Sequence, residues 1–197
     1  MRILLLLVCC SFIFSCKSDV ISDASVESVK SMKITHPDSL KLPSACELIS
    51  EATVKKLLKI NQQTLLNIKD SSNPEQKRVK SCFFRWDDPS LNFPGIMLQV
   101  TTNEVFEEKQ DFIPGMIQTL LNDGSMEVDA NSPNKFKKFM VGDITGAYSY
   151  KMSRFHWNLG TNYGFLLAFN VPLSEDDMVD IAEEIAREVN ETLAKKI

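Results

Sequence analysis

Chemistry needs reactive side chains at workable spacing, and this chain carries few. Its histidines number two, His36 and His156. A nucleophilic hydrolase needs a base beside an activated hydroxyl or thiol. His156 alternates with Phe155 and Trp157, which puts it on the outer face of a strand, and His36 stands beside Pro37 in a polar stretch that reads as solvated. Asp87 with Asp88, Glu107 with Glu108 and Glu183 with Glu184 are adjacent carboxylates. Adjacent side chains diverge in strands and in helices, so these pairs read as solvated faces rather than acid and base partners. Gly142 and Gly146 lack the lysine and the spacing of a phosphate-cradling loop. The residues therefore point to binding without catalysis, and they imply no cofactor and no metal. Tyr148, Tyr150, Phe155, Trp157, Tyr163 and Phe165 crowd into one stretch. Of these, Tyr148, Tyr150, Trp157 and Tyr163 are the candidate ligand-binding residues, lining a groove on a sheet whose other face is covered by helices. The alternative is that most of them are core.

Five cysteines carry the remaining chemistry. Arg2, the apolar run Ile3 to Val8 and the small Ser15 ahead of Cys16 follow the order of a secretory signal. The run falls short of the roughly 20 residues that span a bilayer. Ile13, Phe14, Ser15 and Cys16, followed by Lys17, Ser18 and Asp19, resemble the lipobox of bacterial lipoproteins. That resemblance implies that 1–15 is a removed signal peptide, that the Cys16 thiol is acylated, palmitate being one such acyl group, and that the lipid holds the chain on a membrane. Ile13 and Phe14 depart from the family's usual Leu and small residue, and an ordinary signal cut nearby or an uncleaved anchor is the alternative. Lys17 after the anchor residue, rather than Asp, favours an outer membrane or the cell surface over the inner membrane. Cys9 and Cys10 then leave with the signal, and Cys46 and Cys82 remain. An even pair in an exported protein reads as one disulfide. It closes a loop of about 35 residues, which the chain-entropy picture rates at about 3–4 kcal/mol. Two buried thiols are the alternative, and a metal site is disfavoured because no ligand cluster accompanies the pair.

With 197 residues, a chain shortened by its signal leaves one domain of ordinary size plus a tether, able to bury a proper core. The net charge of -4 becomes about -5 once Arg2 is lost, and with no long basic block it argues against nucleic acid as a partner. Residues 16–42 are mostly Ser, Lys, Asp, Glu and Val without periodicity and read as a flexible tether. Residues 43–197 read as a single α+β domain.

Ser44 with Glu47 has the spacing of a capping box. Ile49, Ser50 and Val54 have that of a hydrophobic staple, so a turn carrying Cys46 precedes a helix over 51–60. The stretch 62–80 reads as a polar connection with a helical turn at Leu65 and Leu66. Strands are expected over 81–87 and 96–102, pairing antiparallel, and then a middle helix from Phe106 to Leu121 interrupted at Pro114 and Gly115. After a polar loop at 131–134, further strands are expected over 136–141, 147–152, 154–159 and 163–170. Ser174 caps a last helix whose Met178, Ile181, Ala182, Ile185, Val189 and Leu193 form one apolar stripe. The sum is an α+β fold: an antiparallel sheet of about five or six strands against two or three helices.

Cys46 to Val54, then Cys82, Phe84 and Trp86, then Val141, Gly142, Asp143 and Ala147, together with the closing helix, resemble small actinobacterial lipoproteins of unknown function and the related extracellular sensor domains of receptor kinases. The glycine that usually ends the first helix is missing, since Lys59 follows Leu58. The resemblance implies a tethered envelope domain that senses a ligand. The expected function is thus a lipid-anchored cell-envelope protein whose non-catalytic domain binds a small ligand or an envelope protein by its sheet face. The alternative is a structural or assembly role as an accessory subunit of an envelope complex.

Overall fold

A computed structural model describes residues 33–71, 73, 75–124 and 135–197. The expected signal peptide, Cys16, the first half of the expected tether and the loop 131–134 lie outside the described residues. Among the described residues there is one sheet of seven antiparallel strands, against the five or six expected. The strands are β1 (Leu66–Asp70), β2 (Val79–Trp86), β3 (Gly95–Thr101), β4 (Lys137–Val141), β5 (Ile144–Ser149), β6 (Arg154–Leu159) and β7 (Tyr163–Asn170). Their spatial order is β1-β2-β3-β7-β6-β5-β4. Three α-helices, α1 (Glu51–Leu57), α2 (Phe112–Asp123) and α3 (Glu175–Ala194), complete an α+β fold. Two meanders, β1 to β3 and β4 to β7, are joined where β3 pairs with β7. The segment holding α2 carries the chain from the middle of the sheet to its far edge.

Period-two alternation divides the strand residues between two faces. The first face holds Phe84, Leu98, Phe155, Trp157, Phe165 and Leu167, all buried to within 1% of complete. α3 lies on it with Met178, Ile185, Val189 and Leu193 turned inward. Each such side chain contributes about 1.5–3 kcal/mol on burial, more than helix propensity supplies. Ser174 starts the helix by accepting the Asp177 amide at 3.2 Å, and three acidic residues occupy its first turn. Gly146 is needed on this face, because a Cβ there would fall 2.0 Å from the Phe139 ring that lies across it.

On the same face the 3-10 turn Ala45–Glu47 places Cys46 against β2, and the Cys46–Cys82 disulfide ties the two together. Ser50 then caps α1 by accepting the Thr53 amide at 3.1 Å. The helix stops at Leu57, short of the expected Ile60. Lys59 takes the left-handed φ of 55° that glycine usually supplies, while the Ile60 amide bonds the Lys55 carbonyl and the Lys59 amide bonds the Lys56 carbonyl.

α2 covers part of the second face, packing over β5 and β6. Ile117, Phe136 and Ala147 form a small core there with Met116, Leu120 and Leu121. Pro114 does not break the helix, because it sits in the first turn, where backbone amides have no intrahelical partner. The helix therefore begins at Phe112, not Phe106.

Three further stretches differ from expectation. The strand expected over 147–152 is β5, Ile144–Ser149, so Tyr150 and Met152 fall in the turn that follows it. β1 replaces the helical turn expected at Leu65 and Leu66. It is an edge strand, paired with β2 from Leu66↔Trp86 to Asp70↔Cys82, and four of its five side chains are exposed, so it carries little apolar signal. The end of the expected tether, 33–42, is packed on the domain as a strap. Pro37 is buried and Leu40 and Leu42 join the first-face core. The Thr35 amide donates to Asn162 Oδ1 at 3.0 Å, Arg78 pairs with Asp38 at 3.0 Å, and the Tyr163 hydroxyl donates to the Lys41 carbonyl at 3.2 Å. His36 is not merely solvated: its ring meets Phe106 edge-on at 4.8 Å and Glu107 at 3.2 Å. Spaced apolar residues in a polar stretch, too few to show a period, account for the docking.

Candidate functional site

The four aromatic residues expected to line a groove do not form one. Trp157 is fully buried, stacked on Phe165 at 5.0 Å, with its indole N–H donated to Asn190 Oδ1 at 3.0 Å. Tyr163 and Tyr148 are 4% and 8% exposed, and their hydroxyls are taken by the Lys41 carbonyl and by Glu175. Only Tyr150 reaches solvent, and its hydroxyl donates to the Leu173 carbonyl at 2.9 Å. The reason is cover: alternation sends these rings to the face on which α3 lies. They hold the helix in place.

Glu175 is the electrostatic centre of that contact. It accepts from Lys137 Nζ at 2.6 Å and from the Tyr148 hydroxyl at 2.8 Å, joining the first turn of α3 to the edge strand β4. The hydrogen bond from Lys137, then that from Tyr148, holds its carboxyl below its ordinary value. Burial, then the Glu175 bond, raises the Tyr148 phenol.

The other reactive groups serve local structure. His156 faces Phe136, the rings 5.6 Å apart, at the margin of the α2 contact. Asp88 accepts from the Ser90 amide at 2.9 Å and its hydroxyl at 2.6 Å, and Glu184 pairs with Arg187 at 2.8 Å. Among the described residues no three His, Cys, Asp or Glu side chains gather as metal ligands, and no helix is long and apolar enough to cross a membrane.

A different surface has the makings of a site. On the second face α2 reaches Gly164 of β7 and the neighbouring Thr101 end of β3, while Phe83, Arg85 and Met97, towards the other end of β2 and β3, stay half-buried or exposed. Phe83 and Met97 pair across β2 and β3 there, half-buried, with Arg85 exposed two residues beyond Phe83. The guanidinium carbon stands 5.1 Å from the Phe83 ring centroid. The β2–β3 loop overhangs this strip. Asn170, at the end of β7, donates to the Phe93 carbonyl at 2.7 Å and to the Asn92 carbonyl at 3.3 Å, pinning the loop. Phe93 is thereby held at a left-handed φ of 50° with 74% of its surface exposed. Between Phe83, Phe93, Gly95, Met97 and Ala168 lies a cleft of about 190 Å³. Gly95 floors it, and a Cβ at that position would meet the Phe84 carbonyl at 2.8 Å. A next hollow, of about 120 Å³, is lined by Asn67, Lys69, Phe83 and Arg85. The sequence held one signal for this surface, that Phe83 and Met97 put apolar bulk on the face opposite Phe84 and Leu98.

The arrangement offers an apolar surface with cations beside it, and no nucleophile with a base. Compared with protein-family models, with curated proteins and with solved structures, the chain matches none.

Proposed function

We propose that this is a lipid-anchored protein of the cell envelope, on the outer membrane or cell surface, whose domain binds a small ligand or a protein partner without catalysis. The observation that carries the binding reading is the open half of the second sheet face, where Phe83, Met97 and the pinned, exposed Phe93 frame a cleft. Apolar side chains grouped around a cleft, rather than scattered singly, mark an interaction site. The anchor reading rests on Arg2, the run Ile3 to Val8 and the Ser15–Cys16 junction, and a disulfide suits an exported chain.

Native mass spectrometry on the protein gently extracted from its own envelope tests the binding reading. A reproducible small added mass is expected, and the bare chain alone would overturn it. Cys16→Ala is expected to release the protein from membranes, and a variant still lipid-modified and membrane-retained would overturn the anchor. The edge strand β1, with Ile68 39% exposed and Leu65 just before it 86% exposed, supports a second reading, that of an accessory subunit to which another chain adds a strand. A stoichiometric co-purifying protein in place of the small mass would select it.

A further inference from the structure

We propose that the cleft between Phe83, Phe93 and Met97 binds a small anionic amphiphile, an aliphatic or aromatic monocarboxylate whose apolar body lies on the sheet and whose carboxylate meets Arg85. This rests on the reading of the open sheet half as a binding surface, and it names the ligand class.

The size comes first. About 190 Å³ is less than the roughly 300–1,000 Å³ of sites for drug-sized ligands, so the occupant is small. The chemistry of the walls comes second: Phe83, Phe93, Met97 and Ala168 are apolar, and Arg85 is the single charged residue in the lining. The polar end of the cleft, Asn170, has its amide group committed to the loop carbonyls.

Charge decides between an anionic and a cationic ligand. The adjoining hollow adds Lys69, and neither hollow is lined by a carboxylate. In a chain whose net charge is -4, Arg85 and Lys69 stand side by side with no acidic residue in the lining of either of these two hollows. Neither Arg85 nor Lys69 is in a salt bridge among the described residues. The nearest acidic groups in sequence, Asp87 and Asp88, line a larger hollow that Arg85, Asn67 and Phe93 also line, and Asp88 is engaged by Ser90. A guanidinium laid against the Phe83 ring keeps its donor fork for a carboxylate, in two parallel charge-assisted bonds.

The test is calorimetric titration of octanoate, octanol and octylammonium into the full chain held in neutral phospholipid discs, with empty discs as the blank. Octanoate is expected to bind one per chain, at least tenfold tighter than octylammonium. Arg85→Gln is expected to lower octanoate affinity at least tenfold, while Lys138→Gln, the same charge change at the far edge of the sheet, leaves it unchanged. Phe93→Gly, which suits the left-handed φ and so keeps the loop, is expected to weaken all three probes. Equal binding of octanoate and octylammonium, no octanoate binding, or an Arg85→Gln variant that binds as the parent does would each overturn the proposal. A chain that self-associates through this face, undisturbed by octanoate and separated by Met97→Lys, would overturn it in favour of a second copy. If octanoate fails while the natively extracted protein still carries a small added mass, the ligand class is wrong and the binding reading stands. If both fail, both readings fall.

Discussion

The two faces of the sheet start from the same alternation and end differently. On β2, Phe84 is fully buried and its neighbour Phe83 half-buried; on β3, Leu98 and Met97 repeat the contrast, and on β6, Trp157 and His156 do so again. The first face is closed by α3, by the turn carrying Cys46 and by the strap. The second is closed by α2 over β5, β6 and the Gly164 end of β7, and stays open at Phe83, Arg85 and Met97. Apolar bulk therefore does not say which face is core. Cover does, and on the uncovered half the same residue types become a surface with something to bind.

The comparison breaks if the first face proves tolerant. Trp157→Ala should cost about 3–5 kcal/mol, because it opens a cavity under α3 and leaves Asn190 without its donor; chemical denaturation measures it. Replacing both Cys46 and Cys82 by Ala should cost about 3–4 kcal/mol, read as a lower melting temperature that reductant reproduces in the parent and not in the variant. The acid limb comes next. Glu175, Glu47 and Asp38 have carboxyls lowered by hydrogen bonds from Lys137, Lys196 and Arg78. Their stabilisation is full above the unfolded carboxylate range and lost as pH falls through the folded values. Thermal stability should therefore fall below about pH 4–4.5, and Glu175→Gln should lower it at neutral pH while shrinking the acid loss. Lys59→Gly should stabilise by about 0.5–1 kcal/mol, since glycine takes that left-handed position without strain. Met97→Gln on the open half should stay within about 0.5 kcal/mol of the parent. A loss as large as that of Trp157→Ala would show the second face to be core after all.

Elements that bury a long periodic stripe were legible in the sequence. α3, with its Ser174 cap and unbroken apolar face, and the strands β6 and β7 stand where the alternation of Phe155, Trp157, Phe165 and Leu167 puts them. Elements that win stability from pairing or docking were not. β1 has Leu66 and Ile68 as its only apolar residues, and its hydrogen bonds to β2 leave no mark on composition. The strap reads as linker because Pro37, Leu40 and Leu42 have no period, though each finds a place on the domain. The aromatic cluster was legible as a cluster, with core and groove both open as readings of it, because alternation cannot tell a covered face from an open one. The cleft depends on Asn170 pinning a loop 77 residues earlier in the chain, a contact no local pattern announces.

The disulfide also decides how the domain answers a pull. Tension applied at its N-terminal side first meets the strap, whose bonds to Asn162, Arg78 and Tyr163 peel away in turn. It then reaches Cys46, and from there the covalent path jumps to Cys82 in β2. The intervening 47–81, with α1 and β1 in it, is bypassed and bears no load. A stretched molecule therefore lengthens by the strap first and then stops at the bridge. Only reduction would let those bypassed residues pay out as slack, so the extension at rupture reports the redox state of the bond.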